Sequence, residues 1–246
     1  MSLLEHLRLI PDPRKDLNKQ HELMDVIFLA FSAVLSGATG WKSMEQFGEE
    51  QLDWLQSHGA FKNGLTPRRH CIAYIIKVLN TESLVNALCA WVNERREQSG
   101  KALIALDGKT LRGTVMQLTA NLPLALQTRW PHIRSIIEVS SERTCHGKTS
   151  CDSRWYVSSL SIDAVAAAQA VRRHWEIENN LHWVLDVVFR EDEMTISAQN
   201  GAAHVALFNR VALGIIKQHT GKKDSMVAKR RGAAWNPAFR SELIFG

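Results

Sequence analysis

The segment ALIALDGKTLRG, residues 102–113, separates two parts of the chain with different sequence patterns and decides the predicted fold. The apolar run Ala102–Leu106 has the length and the flanking residues of a short buried strand. One carboxylate, Asp107, follows this run directly. A carboxylate at the end of a buried strand can reach a cleft while its backbone stays in the sheet. An Asp at an ordinary strand-to-turn junction, with no function, is the commoner explanation for such a residue taken alone.

The residues before this segment predict a helical domain. The apolar stretch His21–Ser36 predicts its buried central helix. Ser43 with Gln46 predicts a capping box that opens another helix. Further helices are predicted at Leu3–Ile10, from Pro67 and from Thr81. The polar stretch 94–101 marks the boundary, which gives predicted domains 1–98 and 99–246.

The residues after the segment predict strands followed by helices. Strands are predicted at His132–Ser140 and Arg154–Ser159, joined by a polar loop from Glu142 to Ser153. Asp163 is predicted to cap an Ala-rich helix, and later helices are predicted at Ile177–Val188 and Ala202–Ile216. The run Lys217–Arg231 holds six basic residues and one acid and is predicted to be a tail.

A second informative stretch is HWEIENNLHWVLDV, residues 174–187. On an α-helix, Glu178 and His182 share a face and Asp186 continues the row. Trp175 and Leu185 can then face the core. A polar stripe with no role beyond solvation is the alternative for an arbitrary helix. Carboxylates delivered from a strand end and from a helix can nevertheless share one divalent metal site.

Composition and charge indicate a globular protein with a basic second half. Apolar residues make up 45% of the 246 residues and charged residues 22%, as in ordinary globular proteins. Residues 1–100 carry a net charge of −1 and residues 101–246 one of +6. This asymmetry favours a polyanionic partner. Ribosome-like or membrane-surface binding could use the same bias.

The cysteines predict free thiols. Four cysteines lie at positions 71, 89, 145 and 151, with no Cys-x-x-Cys pair and no zinc-like quartet. A bridge between Cys145 and Cys151 is the alternative, but no secretory leader is recognised. The strongest apolar stretch, Leu23–Leu35, is too short to cross a bilayer. We therefore predict a soluble cytoplasmic protein; association with a bacterial-type nucleoid is implied only by the family resemblance described below.

Together, the motifs DGKTLRG and HWxIENxLHWVLDV resemble those of the H-repeat-associated insertion-sequence transposases, a branch of the DDE-type (Asp-Asp-Glu) enzymes. The resemblance runs over nearly the whole chain. It implies an α+β fold, with an N-terminal helical transposase-associated domain and a truncated RNase H-like catalytic domain. By the same resemblance Asp107 is the first catalytic acid and Glu178 the third, Lys109 and Arg112 hold DNA phosphate, and His182 lies near Glu178.

The chemistry that the resemblance implies needs three acids. Two Mg²⁺ or Mn²⁺ ions about 4 Å apart activate the attacking oxygen and stabilise the leaving one. In the family the second Asp comes from a central strand between the first Asp and the Glu, but only 71 residues separate Asp107 from Glu178. The acids between them do not follow a buried apolar strand; they are Glu138, Glu142, Asp152, Asp163 and Glu176. We therefore predict an internal deletion that removed the second Asp and weakened metal binding.

The leading hypothesis is a DDE-type transposase, acting on DNA by phosphodiester cleavage and strand transfer, in a defective copy. The alternative is a non-catalytic DNA-binding remnant that occupies element ends or an intact transposase. A small-molecule phosphohydrolase is a third, weaker hypothesis. Expected partners are transposon ends, target DNA and another transposase copy, without a membrane. Trp41, Trp54, Trp91 and Trp130 are expected in the core or an interface. The predicted DNA-binding residues are Lys109, Arg112, His182, Lys222, Lys223, Lys229, Arg230 and Arg231.

Overall fold

The chain folds into two compact units in the computed structural model. One unit, the helical unit, comprises Met1–Ala105 and Trp183–Gly246; the other, the sheet unit, comprises Leu106–His182. The structure describes residues 1–15, 17, 19–99, 113–119, 128–145, 148–159, 163–196 and 199–246. The predicted strand Ala102–Leu106 lies outside these ranges and stays a prediction.

Six helices form the first part of the helical unit. They are α1 (Leu3–Arg8), α2 (Leu23–Leu35), α3 (Trp41–Glu50), α4 (Leu52–Ser57), α5 (Arg69–Val78) and α6 (Thr81–Ser99). Every residue of α2 is buried, which confirms the predicted central helix. Its acid, Asp25, accepts the backbone N–H of Phe61 at 2.7 Å, so the buried carboxylate keeps a hydrogen-bond partner.

Two predicted helix starts are wrong by two or three residues. α3 begins at Trp41 and is capped by Gly40. The Ser43 hydroxyl accepts the Gly40 N–H at 3.1 Å from within the first turn, so Ser43 follows the start of the helix and Gln46 lies in its body. α5 begins at Arg69, after Pro67. Local capping chemistry thus identified the right region but not the right residue.

The sheet unit contains three antiparallel strands followed by a helix. The strands are β1 (Gly113–Thr119), β2 (Ser135–Cys145) and β3 (Lys148–Ser158), in the order β1-β2-β3. Pairing of β2 with β3 continues to Cys145 opposite Lys148, so the predicted loop from Glu142 to Ser153 is wrong. Backbone pairing satisfies the strands there whatever the polarity of their side chains.

Helix α7 (Ala164–Ile177) covers one face of this sheet. Ile137 and Val139 of β2 are buried with Ala167 and Val171 of α7 in one apolar cluster. Trp155 on β3 belongs to the opposite face, because side chains alternate along a strand, and it is 57% exposed. The carboxylate of Asp163 accepts the N–H groups of the first turn of α7, as predicted.

The chain re-enters the helical unit through α8 (Trp183–Val187), α9 (Gln199–Gln218), α10 (Met226–Trp235) and α11 (Pro237–Phe245). The Phe31 ring of α2 contacts Trp91 of α6 and Phe208 of α9, with centroid distances of 6.0 and 5.9 Å. The C-terminal helices therefore complete the core that the N-terminal helices begin. The predicted domain boundary at residue 98 does not coincide with the boundary between the two compact units. A helix such as α2, which is apolar on all of its faces apart from Asp25 and Ser32, requires partners on every side.

The described residues are mostly helical with one small antiparallel sheet, which confirms the predicted α+β class. The predicted tail Lys217–Arg231 is wrong, since α9 extends to Gln218 and α10 begins at Met226. Cys71 and Cys89 are free thiols. Across the described part of the chain, no single helix has the length and apolar composition of a membrane span; a bent pair, Arg69–Val78 with Thr81–Arg95, meets that test jointly.

Candidate functional site

The helix that carries the predicted third acid changes geometry at that acid. Residues Glu178–His182 form a π-helical turn between α7 and α8. Across this turn the residue spacing is that of a π-helix, and the shared face of Glu178 and His182 stays a prediction. Glu178 is half-buried and His182 is exposed. A π turn is rare and is found frequently at functional sites.

Trp175 anchors the end of α7 on the sheet, three residues before Glu178. Its indole Nε1 donates to the Tyr156 hydroxyl at 3.1 Å. The guanidinium carbon of Arg154 lies 4.4 Å from the centroid of the Trp175 ring. Trp175 is half-buried against the apolar cluster of the sheet unit, which confirms the prediction that it faces the core. These contacts fix the position of the helix turn from which Glu178 projects.

The first predicted acid and its basic neighbours cannot be placed beside Glu178. Asp107, Lys109 and Arg112 lie outside the described residues. The proximity of Asp107 to Glu178 therefore stays a prediction.

The acids described between the two motifs have other surroundings. Glu138 lies opposite Trp155 on the sheet, on the face away from α7, and Asp163 caps α7. The side chains of Glu142, Asp152 and Glu176 lie outside the described set. Among the described residues, no group of three His, Cys, Asp or Glu side chains could hold a metal ion. The described side chains alone therefore do not fit a divalent cation.

The end of the motif and the residues that follow it have structural roles. Leu185, 1% exposed, and Phe189, 0% exposed, lie in the core of the helical unit, as predicted for Leu185. Arg190 adopts a left-handed conformation, with φ of 56°, and pairs with Glu193. Glu191 pairs with Arg210 of α9 at 3.1 Å. The charged residues of this turn are thus held in local ion pairs.

Two of the residues predicted to bind DNA are buried. The Arg230 guanidinium donates to the carbonyls of Val188 and Val34, the latter at 3.0 Å. Burial lowers the pKa of Arg230 to about 10. The Lys229 ammonium donates to the His219 carbonyl at 2.6 Å. Buried cations that satisfy backbone carbonyls cannot also reach phosphate, so this arrangement argues against DNA contact by Lys229 and Arg230.

The other basic residues of this region are exposed. Lys222, Lys223 and Arg231 reach the surface. Lys222 pairs with Asp224 at 2.8 Å. Trp235, at the end of α10, was not among the predicted site residues, and its side chain is 79% exposed. Its spacing of four residues from Arg231 was the available signal, because residues at i and i+4 share a helix face.

Exposure also separates the tryptophans that were assigned to the core. Trp54 and Trp91 are buried as predicted, at 8% and 2% exposure, and Trp41 is half-buried. Trp130 is 55% exposed, so it does not lie in the core, and its place in an interface stays a prediction.

A cavity of about 330 Å³ in the helical unit has an almost wholly apolar lining. It lies between the turn after α8 and the start of α9. Its polar residue, Glu191, already pairs with Arg210, so the cavity brings together no catalytic constellation. Its lining residues are Glu191, Met194, Ile196, Ala202, Ala203 and Ala206.

Comparison with known proteins identifies relatives for both the helical start and the full chain. The family described as DDE_Tnp_1-associated matches residues 4–92. "H repeat-associated putative transposase YhhI" of Escherichia coli strain K12 is 22% identical over 371 aligned positions, which span 99% of this chain and 98% of the relative. "Putative transposase YncI" of Escherichia coli O157:H7 is 23% identical over 368 positions, spanning 99% of this chain and 94% of the relative. No solved structure matches the chain.

A shorter relative is more similar, and it spans part of this chain. "Inactive transposase YbfQ" of Escherichia coli strain K12 is 42% identical over 74 residues, which cover 30% of this chain and 87% of the relative. The alignment with the YhhI protein is longer than this chain, since its 371 positions exceed 246 residues by 125. At least that many positions of the relative therefore have no counterpart here. With both motifs, the matched helical segment and these relatives, the chain belongs to the H-repeat-associated transposase family.

Proposed function

We propose that this chain is a DDE-type member of its family that binds DNA but neither cleaves nor joins it by itself. The length of the alignment with its relatives carries the proposal. The relative extends over 125 more positions than this chain has residues, while both quoted motifs are present. A deletion of residues between Asp107 and Glu178, which are only 71 residues apart, would remove the second catalytic Asp. The rest of the protein would be kept.

The proposed location of the loss is the central part of an RNase H-like domain. The sheet unit keeps three antiparallel strands and α7, which leads directly to Glu178. In the fold that the resemblance implies, a further central strand supplies the second Asp. The described strands β1, β2 and β3 form one antiparallel meander, which leaves such a strand without a counterpart in the described sheet.

The consequence for catalysis follows from metal chemistry. Mg²⁺ or Mn²⁺ would be held by Asp107 and Glu178, and would supply charge stabilisation at the scissile phosphate. Each ion takes several oxygen ligands from carboxylates, phosphate and water. Glu178 has no neighbouring pair of acids among the described residues. Two carboxylates without a third would hold the ions weakly, and we infer that strand transfer is lost.

DNA binding is supported by the charge of the last helices. Residues 217–246 contain seven Lys or Arg and two acids, a surplus of five. Three of these cations, Lys222, Lys223 and Arg231, lie at the surface. Exposed cations bind phosphate without sequence preference and release counterions. We assign non-specific DNA contact to these three residues and withdraw it from the buried Lys229 and Arg230.

The test separates binding from chemistry. Anisotropy of a fluorescent 25-base-pair duplex measures binding by the full chain between about 50 and 200 mM salt, and a supercoiled plasmid with Mg²⁺ or Mn²⁺ reports cleavage. We expect salt-dependent binding without metal-dependent nicking. The double variant Lys223→Ala, Arg231→Ala should reduce the salt slope by about 2. Lys42→Ala with Lys62→Ala, which removes two exposed lysines elsewhere in the helical unit, is the matched control.

Two results would overturn the proposal. Metal-dependent nicking that Asp107→Ala or Glu178→Gln abolishes would show that the chain retains its chemistry. Equal binding by the Lys223/Arg231 variant and by the Lys42/Lys62 control would show that the assigned surface does not contact DNA.

A further inference from the structure

The exposed face of α10 combines an aromatic ring with a cation. Val227, Arg231 and Trp235 follow at intervals of four residues, so they form one row along the helix. Val227 is 39% and Trp235 79% exposed. The opposite face of α10 holds Ala233, which is buried in the helical unit. The exposed row therefore belongs to a helix that is fixed in place by its other side.

Trp235 is conspicuous because tryptophan usually buries most of its large apolar surface. Within the described part of the chain, its indole N–H makes no hydrogen bond and its ring makes no aromatic or cation contact. The side chain ends α10 and is followed by exposed Asn236 and Pro237. Neither residue carries a negative charge that would repel a negatively charged partner.

The surroundings favour a polyanion over an apolar protein surface. Arg231 lies four residues, about 6 Å along the helix axis, before Trp235. It has no ion-pair partner among the described residues. Lys223 is exposed just before the helix. An apolar partner surface would have to leave these cations without counter-charges, at a substantial desolvation cost. A nucleic acid strand supplies both phosphate for the cations and a flat base for the ring.

We propose that the row Val227–Arg231–Trp235 binds single-stranded or unpaired DNA, with Trp235 stacking on an exposed base and Arg231 holding an adjacent phosphate. This deepens the proposed function, on which it rests, by naming the class of DNA that the α10 surface prefers. Stacking on an aromatic ring tolerates any base, because every base has a flat face. A paired base in an undistorted duplex cannot offer that face to the ring.

The experiment compares two DNA forms with the full-length chain. The probes are fluorescein-labelled dT15 and a 15-base-pair duplex, measured by anisotropy at the same salt concentrations. Trp235→Ala is expected to weaken dT15 binding roughly 5- to 150-fold, the loss of one stacked base, and to change duplex binding by less than about 2-fold. Trp235→Phe should retain most of the dT15 affinity. Arg231→Ala should weaken both complexes and lower the salt slope by about 1.

A control variant tests whether loss of any exposed tryptophan weakens binding, and the thermal unfolding midpoint tests whether Trp235→Ala still folds. Trp155→Ala removes a tryptophan that is 57% exposed on the sheet, and it should leave dT15 binding unchanged. Trp235→Ala should unfold at the temperature of the unmodified chain, because its side chain packs little.

Each further outcome decides the matter. Duplex binding with a dT15 affinity that Trp235→Ala does not alter would overturn this inference and leave the proposed function standing. Absence of binding to either DNA would overturn both. Altered sedimentation of Trp235→Ala with unchanged DNA affinity would show that the ring contacts protein instead, which also overturns the inference.

Discussion

Arg230 lies over the ring of Phe189, with its guanidinium carbon 4.2 Å from the ring centroid. Phe189 is fully buried and directly follows Val188, whose carbonyl accepts a hydrogen bond from the same guanidinium. A second carbonyl, that of Val34, belongs to the central helix α2. One side chain thus joins α10, α2 and the turn that follows the HWEIENNLHWVLDV motif.

Arg230→Ala is expected to destabilise the chain by roughly 2–4 kcal/mol. The substitution removes charged hydrogen bonds to the Val188 and Val34 carbonyls and a cation–π contact, although the Val34 carbonyl keeps the N–H of Gly37 at 3.1 Å. Urea unfolding followed by circular dichroism measures the change. Its neighbour gives the control, because exposed Arg231→Ala should alter stability by less than about 0.5 kcal/mol. Similar losses for both variants would contradict the burial described here.

Asp25→Asn is expected to remove a loss of stability that the Asp25 carboxyl causes as pH rises. Burial raises the pKa of the Asp25 carboxyl above its ordinary value of 3.8, only partly offset by the hydrogen bond from Phe61. The folded state therefore holds the proton more tightly than the unfolded state, and this group costs stability as pH rises above about 3.8. Burial lowers the pKa of nearby His21, which gives the opposite slope as pH falls.

The comparison between the unmodified chain and Asp25→Asn isolates the carboxyl, because His21 is present in both. Denaturant midpoints between about pH 3 and 7.5, a range that includes the ordinary pKa of an Asp carboxyl, provide the measurement. The stability of Asp25→Asn relative to the unmodified chain should improve as pH rises. A difference that stays constant or shrinks over this interval would contradict the raised pKa.

A fragment of residues 1–98 is expected not to fold stably alone. Its central helix α2 contacts Phe208 of α9, and Trp54 donates its indole N–H to Ser241 of α11 at 2.9 Å. Removing the later helices would expose the apolar surface that they cover, at roughly 25 cal/mol for each Å². Circular dichroism should show weak, non-cooperative melting, and added fragment 183–246 should restore a transition. Cooperative melting of 1–98 at the full chain's temperature would contradict the shared core.

Tyr156→Phe is expected to weaken the sheet unit by about 0.5–1.5 kcal/mol, the worth of one hydrogen bond. The lost bond is the one from the Trp175 indole to the Tyr156 hydroxyl. Hydrogen exchange of α7 amides should accelerate, whereas the amides of α2 should keep their protection. Trp155→Phe, a conservative change at the exposed face of the same strand, serves as the control. Unchanged exchange in α7 would show that this bond does not hold the helix on the sheet.

The helical framework was predictable because its signals are local. In α2 the absence of a polar face predicted burial on all sides, and all of its residues are buried. Ile72, Ile75 and Ile76 repeat at helical spacing and are buried in α5. Apolar periodicity of this kind does not depend on distant residues.

The errors have non-local causes. The strands β2 and β3 extend through polar residues because each satisfies the other's backbone, which the polarity of the side chains does not reveal. Lys229 and Arg230 were assigned to a solvated tail because a run of charges usually is one. Their partners are carbonyls of Ile216, His219, Val34 and Val188, two of them far away in sequence. The π turn at Glu178–His182 was not predicted, because apolar spacing does not distinguish it from an α-helical turn.

The sheet unit interrupts a helical unit whose first and last segments share one core. In chain connectivity the sheet unit is therefore an insertion between two segments that pack together around α2. A deletion confined to this insertion leaves every helix that buries α2. By the proposed function, a gene that lost the middle of its catalytic domain still encodes a folded protein with its basic C-terminal surface, and we expect such a product to compete with a complete copy for the same DNA.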